Sequence, residues 1–252
     1  MTKPSSLPKP PPAQDDARRK RMTPAARAQH ILDEAAAFFA ERGLATSTRE
    51  LAARLGVAQA LIYRYFPSKR MLIDKVFETT FARLWDDDWT MLLANRAQPL
   101  EERVARLYVA YLERAGALSV RLFVRAGLEG ADMARRYSVP LTEKLLRPMI
   151  GALRADSGLP DFDQAPMLRG ERELAMALHG AVVFLGIRKH VYAMPMPDDL
   201  SDLVRLQVRV FLDGARRELA RLHDGTAEDS LTVQQLDRRR QRRAPAPPDS
   251  TA

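Results

Sequence analysis

The chain has 252 residues, 46% hydrophobic and 29% charged, a balance that can bury a sizeable core. It contains no cysteine, which excludes disulfides, iron–sulfur clusters, thiolate zinc sites and cysteine nucleophiles. The net charge of +8 is concentrated at one end, with six basic and two acidic side chains in residues 1–23 and seven and four in residues 24–70. A positive field confined to one end points to a polyanion, nucleic acid first, or to a basic solvated tail.

The opening stretch MTKPSSLPKPPPAQDD lacks an apolar signal-peptide core. The longest nearly apolar run, Leu174 to Ile187, has 14 residues and includes His179, whereas a membrane span needs about 20. The expectation is a cytoplasmic, nucleoid-associated protein without membrane contact.

Residues 1–22, rich in Pro, Ser, Lys and Arg, read as a disordered basic arm. The first helix is signalled by Thr23 as N-cap and Pro24 at the first helical position. Ile31, Leu32, Ala35, Phe38 and Phe39 form its apolar stripe, and Gly43 ends it. Ser47-Thr48-Arg49-Glu50 is a capping box opening a short second helix that stops at Gly56. A third helix follows, anchored by Val57, Leu61 or Ile62, and Phe66. Pro67 ends it, and Ser68 caps a long fourth helix expected to carry Leu72, Ile73, Val76, Phe77, Phe81, Leu84 and Trp85.

Two short helices around a glycine turn match a helix-turn-helix. The third helix would stand proud, with Gln59, Arg64 and tyrosine hydroxyls free to enter a major groove. A plain helical hairpin would share this spacing.

Residues 43–77, GLATSTRELAARLGVAQALIYRYFPSKRMLIDKVF, resemble the DNA-binding domain of the tetracycline-repressor (TetR) family. The resemblance rests on the Ser47/Thr48 start, the ELAARLGV stretch, Tyr63-x-Tyr65-Phe66 and Ser68-Lys69. It implies an all-α homodimer with a three-helix DNA-binding head and a helical ligand-binding, dimerising body. It further implies repression at a palindromic operator in double-stranded DNA, relieved by a small-molecule effector. By position it places Ser47, Thr48 and Arg49 at the DNA-facing start of the second helix, Gln59, Ala60, Leu61, Tyr63, Arg64 and Tyr65 on the recognition helix, and Lys69 at the start of the fourth. Ala58 stands where the family commonly has a capping serine, and Leu61 where a threonine often touches DNA.

The chemistry of these side chains fits such roles. Gln59 suits a bidentate pair with adenine, and Arg49 or Arg64 suits guanine. Tyr63 and Tyr65 hydroxyls suit phosphate oxygens, and Lys69 adds charge beside a helix N-terminus. Tyr65 could equally be core packing, and Arg64 and Lys69 a solvated face. Arg18, Arg19, Lys20 and Arg21 could line a minor groove or belong to a loose arm.

In the body, Leu100 starts a helix that Gly116 interrupts, and Leu118, Leu122, Phe123 and Leu128 continue it. Pro140 and Pro148 must kink or split the next helical stretch. Leu174 to Ile187 is apolar nearly all round and must be buried on every side. With the following helix (Leu203, Val204, Val208, Phe211, Ala215) it is expected to close a four-helix interface between two subunits, or else to complete one chain's core. Trp85, Trp89, Tyr108, Tyr111 and Phe123, with Arg125 or His179, are candidates for an effector pocket or for ordinary core.

No metal, cofactor or catalytic site is expected. His179 and His190 lie about 16 Å apart along a helix, and Asp86, Asp87 and Asp88 point about 100° apart, so neither set converges on an ion. No H-E-x-x-H, G-x-S-x-G, P-loop or G-x-G-x-x-G is present, which argues against an enzyme. The domain expectation is an arm (1–22), a helix-turn-helix DNA-binding domain (23–70), a helical effector-binding and dimerisation domain (71–223) and a disordered tail (224–252). The rival readings are a non-specific architectural DNA binder and a helical enzyme or carrier.

Overall fold

The computed structural model describes residues 22–129 and 133–225, without the side chains of 133–136. The basic cluster Arg18–Arg21 and nearly all of the expected tail lie outside the described residues. Those residues form ten α-helices and no strand element. The head holds α1 (Pro24–Arg42), α2 (Thr48–Leu55) and α3 (Gln59–Tyr65), followed by α4 (Lys69–Ala82). The body holds α5 (Trp89–Ala94), α6 (Leu100–Leu128), α7 (Met133–Leu141), α8 (Arg147–Asp156), α9 (Arg169–His190) and α10 (Ser201–His223).

The head's helix ends are set by local chemistry. Thr23 Oγ1 accepts from the Ala26 N–H at 3.2 Å, satisfying one of the first-turn donors that no helical carbonyl reaches. Ser47 and Glu50 close the capping box: the Glu50 N–H donates to Ser47 Oγ, and the Ser47 N–H donates to Glu50 Oε2. Gly56 adopts a left-handed conformation, φ +63°, which turns the chain sharply between α2 and α3. α3 starts at Ala58 with no side-chain cap.

Ile31, Ala35, Phe39, Leu51, Ile62, Leu72, Val76 and Phe77 fill the head's core. Leu122 and Ala126 of α6 belong to this same cluster. The head's core therefore runs through α4, past the expected boundary at residue 70, and is closed by a body helix.

The fourth helix is shorter than expected. It ends at Ala82, leaving Leu84 and Trp85 in a turn before α5. Asp86 Oδ1 accepts from the Asp88 N–H at 3.1 Å, and this local bond offers the backbone an alternative to continuing the helix.

In α6, Gly116 has φ +54° and ψ −176°, a break that divides the helix into two segments. Leu118 and Leu128 point outward rather than inward; Ser119, Leu122 and Ala126 form the covered face. One π-helical turn, Thr142–Leu146, separates α7 from α8. It begins two residues after Pro140 and ends two before Pro148, where a wider turn relieves the proline's missing N–H and ring crowding.

The body's core lies where α6, α8, α9 and α10 meet, with Leu107, Leu145, Leu146, Val182, Val204, Val208 and Leu219 at its centre. Arg154 and Glu171 are buried inside it. Arg154 Nε and its second terminal nitrogen donate to Glu171 Oε1 and Oε2 at 2.6 and 2.7 Å. Its other terminal nitrogen caps the Pro160, Asp161 and Ala165 carbonyls. With a further bond to the Pro166 carbonyl, this one guanidinium holds four carbonyls of the loop between α8 and α9.

Full burial of the Leu174–Ile187 run does not hold within one chain. Leu178, Val182 and Leu185 face the core, but Ala177, Ala181 and Phe184 are exposed. These three recur at helical spacing, so they form a single outward stripe. Leu206 and Val210 of α10 are exposed as well.

Candidate functional site

α3 is held by its inward residues and displays the rest. Ile62 is fully buried, and Phe66 just beyond the helix is buried too. Ala60, Tyr63 and Arg64 are exposed; Gln59, Leu61 and Tyr65 are half-buried. Tyr65 packs against the head's core, and Leu61 sits one turn before it on the same face.

The polar groups expected to meet DNA are organised around Thr48. Its Oγ1 accepts from Gln59 Nε2 at 2.7 Å and shares a 2.9 Å bond with the Tyr63 hydroxyl. Thr48 itself is buried between α2 and α3. Gln59 and Tyr63 stand one turn apart on α3, so this threonine fixes the direction of both. The second amide hydrogen of Gln59 and its carbonyl oxygen remain for a partner. Ser47 is exposed but spends its hydroxyl on the capping box.

Arg49 and Arg64 are exposed and, among the described residues, carry no ion pair or hydrogen bond from their side chains. Lys69 is half-buried and likewise unpaired there. It opens α4, whose first turn is capped by Ser68 Oγ accepting from the Met71 N–H at 3.1 Å. Lysine charge beside helix N–H groups is a favourable setting for a phosphate.

The head is tied to the body through the end of α6. Glu129 Oε1 accepts from the Leu44 N–H at 3.0 Å, just past α1. Gly43 lies so close that a Cβ there would come 2.6 Å from the same oxygen, and its φ is +91°. Arg125 donates to the Glu41 carbonyl at 3.3 Å. In turn, Arg54 holds the Glu41 carboxylate by hydrogen bond and charge, keeping its pKa below the usual value.

A cavity of about 310 Å³ lies in the body between Phe81 of α4, both segments of α6, Tyr137 of α7 and the middle of α9. Of the pocket candidates, Tyr111, Phe123 and His179 line it. Trp85, Tyr108 and Arg125 do not. Trp85 stacks on Tyr137, with ring centroids 5.4 Å apart, Tyr108 packs behind Tyr111 and His179, and Arg125 turns toward Glu41. Sequence reasoning missed Tyr137, Ser119, Arg172 and Met176, which also line the cavity.

The Tyr111 and Tyr137 hydroxyls share a 2.6 Å bond. Burial pushes the Tyr111 phenol up to about 12 and the Tyr137 phenol higher still, so both are neutral. Burial also pushes His179 down to about 4, leaving a neutral imidazole. A wider cleft of about 740 Å³ between α5, the start of α6 and α8 lies at the opposite end of α6 from the head.

The sequence profile of the bacterial regulatory proteins of the tetR family matches residues 31–76, covering most of α1 through the middle of α4. The chain also superposes on a TetR-like transcriptional regulator from Rhodococcus sp. RHA1, with TM-score 0.60 and 21% identity over 77% of this chain and 100% of that one. The match to the tetR family is carried by residues 31–76. Among curated relatives, the HTH-type transcriptional repressor KstR2 of Mycobacterium tuberculosis is 36% identical over 88 residues, 33% of this chain and 41% of the relative. KstR2 of Rhodococcus jostii is 38% identical over 68 residues, 27% of this chain and 31% of the relative. The chain thus matches less than half the length of these curated relatives. The solved structure of KstR2 from Mycobacterium tuberculosis superposes with TM-score 0.51 and 23% identity, covering 75% of this chain and 94% of that one. The two long overlays show that the body of this chain shares the fold of these regulators, at identities too low to carry more than fold.

Among the described residues no helix is long and apolar enough to cross a membrane.

Proposed function

We propose that this protein is a cytoplasmic transcriptional repressor that binds a palindromic operator as a homodimer and leaves it when a small molecule enters the body. The observation that carries the reading is the display of α3: one fully buried anchor, Ile62, and an outer face bearing Gln59, Ala60, Tyr63 and Arg64. A recognition helix needs this division, because its inner side must be fixed for its outer side to meet base edges in register. Gln59 and either Arg64 or Arg49 contact bases, and Tyr63 and Lys69 contact the backbone.

The second copy covers the outward stripes of α9 and α10. Phe184 is 48% exposed, Leu206 51% and Val210 65%, an apolar patch that a lone soluble chain does not profit from exposing. Two such faces meeting about a twofold axis bury it in a four-helix interface and present the two α3 helices to successive half-sites.

The route from cavity to head is short. Phe123 lines the cavity, and Leu122 and Ala126, its neighbours on α6, sit in the head's core. Phe81 of α4 packs against both cores. A ligand that moves the segment of α6 after Gly116 therefore moves the head, through Leu122, Ala126 and the Glu129 bond to Leu44. A full switch requires the ligand to favour the released arrangement by about 5.5 kcal/mol.

The test is a titration of protein into a selected DNA duplex, followed by candidate effectors. The expected result is two protomers per duplex, sequence-dependent affinity and release on ligand binding. Affinity indifferent to sequence and lost steeply with salt would instead identify an architectural binder. Tight ligand binding with DNA affinity unchanged would refute the regulatory step.

A further inference from the structure

The polar side chains on the cavity wall are one guanidinium, one imidazole and four hydroxyls, with no anion among them. Arg172 lines the cavity; its Nε is buried without a hydrogen-bond partner, and among the described residues its guanidinium has no ion pair. His179 also lines it, is 4% exposed, and leaves Nδ1 without a partner. Of the two phenols that share the Tyr111–Tyr137 bond, one donates and the other keeps its own hydrogen free. No aspartate or glutamate is among the described lining residues. Ser119 and Ser138 add two hydroxyls, and the rest of the wall is aromatic and aliphatic, including Phe81, Phe123 and Val183.

A cation and a free O–H facing a largely apolar space, with no carboxylate among the described lining residues to answer them, describe the missing partner. An unpaired buried donor costs free energy until an acceptor arrives, and a guanidinium is best answered by an anion. One guanidinium matches one negative charge, and the carboxylate's two oxygens fit its fork. A volume of about 310 Å³ is at the small end of ligand sites, too small for a nucleotide-sized molecule with its several phosphate charges.

We propose that the cavity binds a monocarboxylic acid with a compact apolar body, its carboxylate meeting Arg172 and a tyrosine hydroxyl and its body lying among Phe81, Phe123 and Val183. The neutral imidazole of His179 adds one further donor or acceptor beside that carboxylate. As an account of the effector, this rests on the reading of the cavity as the regulatory site; as an account of what binds there, it stands on the wall alone.

The test is calorimetric titration of the full chain with decanoate, 4-phenylbutyrate and adamantane-1-carboxylate, each against the primary amide of the same skeleton. At least one acid should bind about tenfold or more tighter than its amide, the range of a charge-assisted hydrogen bond. Arg172→Met should bring the two within about threefold by weakening the acid while sparing the amide. Should that variant fail to fold, Arg172→Gln reads the same ratio with a shorter, neutral polar side chain. Amides binding as well as acids, a preference that survives loss of Arg172, or no binding by any of the three acids would overturn the proposal. Adding the same acids to the protein–DNA complex separates the two readings. Acid-selective binding that leaves DNA bound upholds the ligand class and refutes the regulatory step; amide-selective binding that releases DNA does the reverse.

Discussion

In the head, the hydroxyl and amide groups turned toward a partner bond within the head: Thr48 holds Gln59 and Tyr63, and Ser47 holds Glu50, while Arg49, Arg64 and Lys69 stay unpaired among the described residues. In the body, the cavity wall leaves His179 Nδ1 and Arg172 Nε without partners. The two regions meet different kinds of target. DNA presents a rigid, repeating surface, so side chains that read it gain from being fixed beforehand. A cavity that must respond to a ligand keeps its unsatisfied groups for that ligand, because the differential contact is what shifts the population.

The largest effect that bears on this contrast concerns the buried ion pair of the body, Arg154 with Glu171. Burial alone would raise the Glu171 pKa, but hydrogen bonds from Arg154, His223 and the Leu168 N–H outweigh it and hold the carboxylate ionised. Arg154→Met strips the main partner and uncaps the loop carbonyls. It should lower stability by about 3–5 kcal/mol in a denaturant titration.

Next is the pH dependence set by His179. Its folded pKa of about 4 lies below the ordinary 6.5, so the unfolded chain takes up its proton first. The stability this provides is complete above pH 6.5 and is lost as pH falls toward 4, by about 3 kcal/mol at the low end. Unfolding of the wild type and of His179→Gln, compared between pH 4 and 7, should show a slope in the first that is flatter in the second.

Smaller effects belong to the head. Lys69→Ala should weaken DNA binding across sequences and reduce the slope of log affinity against log salt by about 1. Ser47→Ala removes the α2 cap and should cost about 1 kcal/mol, read as a lower melting temperature. Ala58→Ser supplies the side-chain cap that α3 lacks and should add up to about 1 kcal/mol by the same measurement. If Ser47→Ala weakens DNA binding far more than it destabilises the fold, the serine contacts DNA as well as capping α2.

Legibility divides along the same line. Thr23, Ser47, Glu50, Gly56 and Ser68 fix the head's helix ends through partners a few residues away, and so can be read from the chain directly. The start of α5 was hidden, because Leu84, Trp85 and Trp89 continue an apolar helical spacing and only the Asp86 turn breaks it. The cavity was partly visible in its aromatic residues. Which of them face it depends on how α6, α7 and α9 are rotated against one another. Tyr111 meets Tyr137 across 26 positions, and Arg125 turns to Glu41 across 84. Periodicity reports that a face is apolar, not which neighbour it meets. The outward stripe of α9 shows the same limit. The sequence demands burial all round, and one chain supplies it on one side.

The most direct test of the account is selection of bound fragments from random double-stranded DNA by the full-length protein. The account predicts enriched fragments sharing an inverted repeat, with half-site centres one helical turn or a multiple of it apart, about 10 base pairs per turn. Enrichment of fragments with no common sequence, or of a lone half-site bound by one protomer, would contradict it.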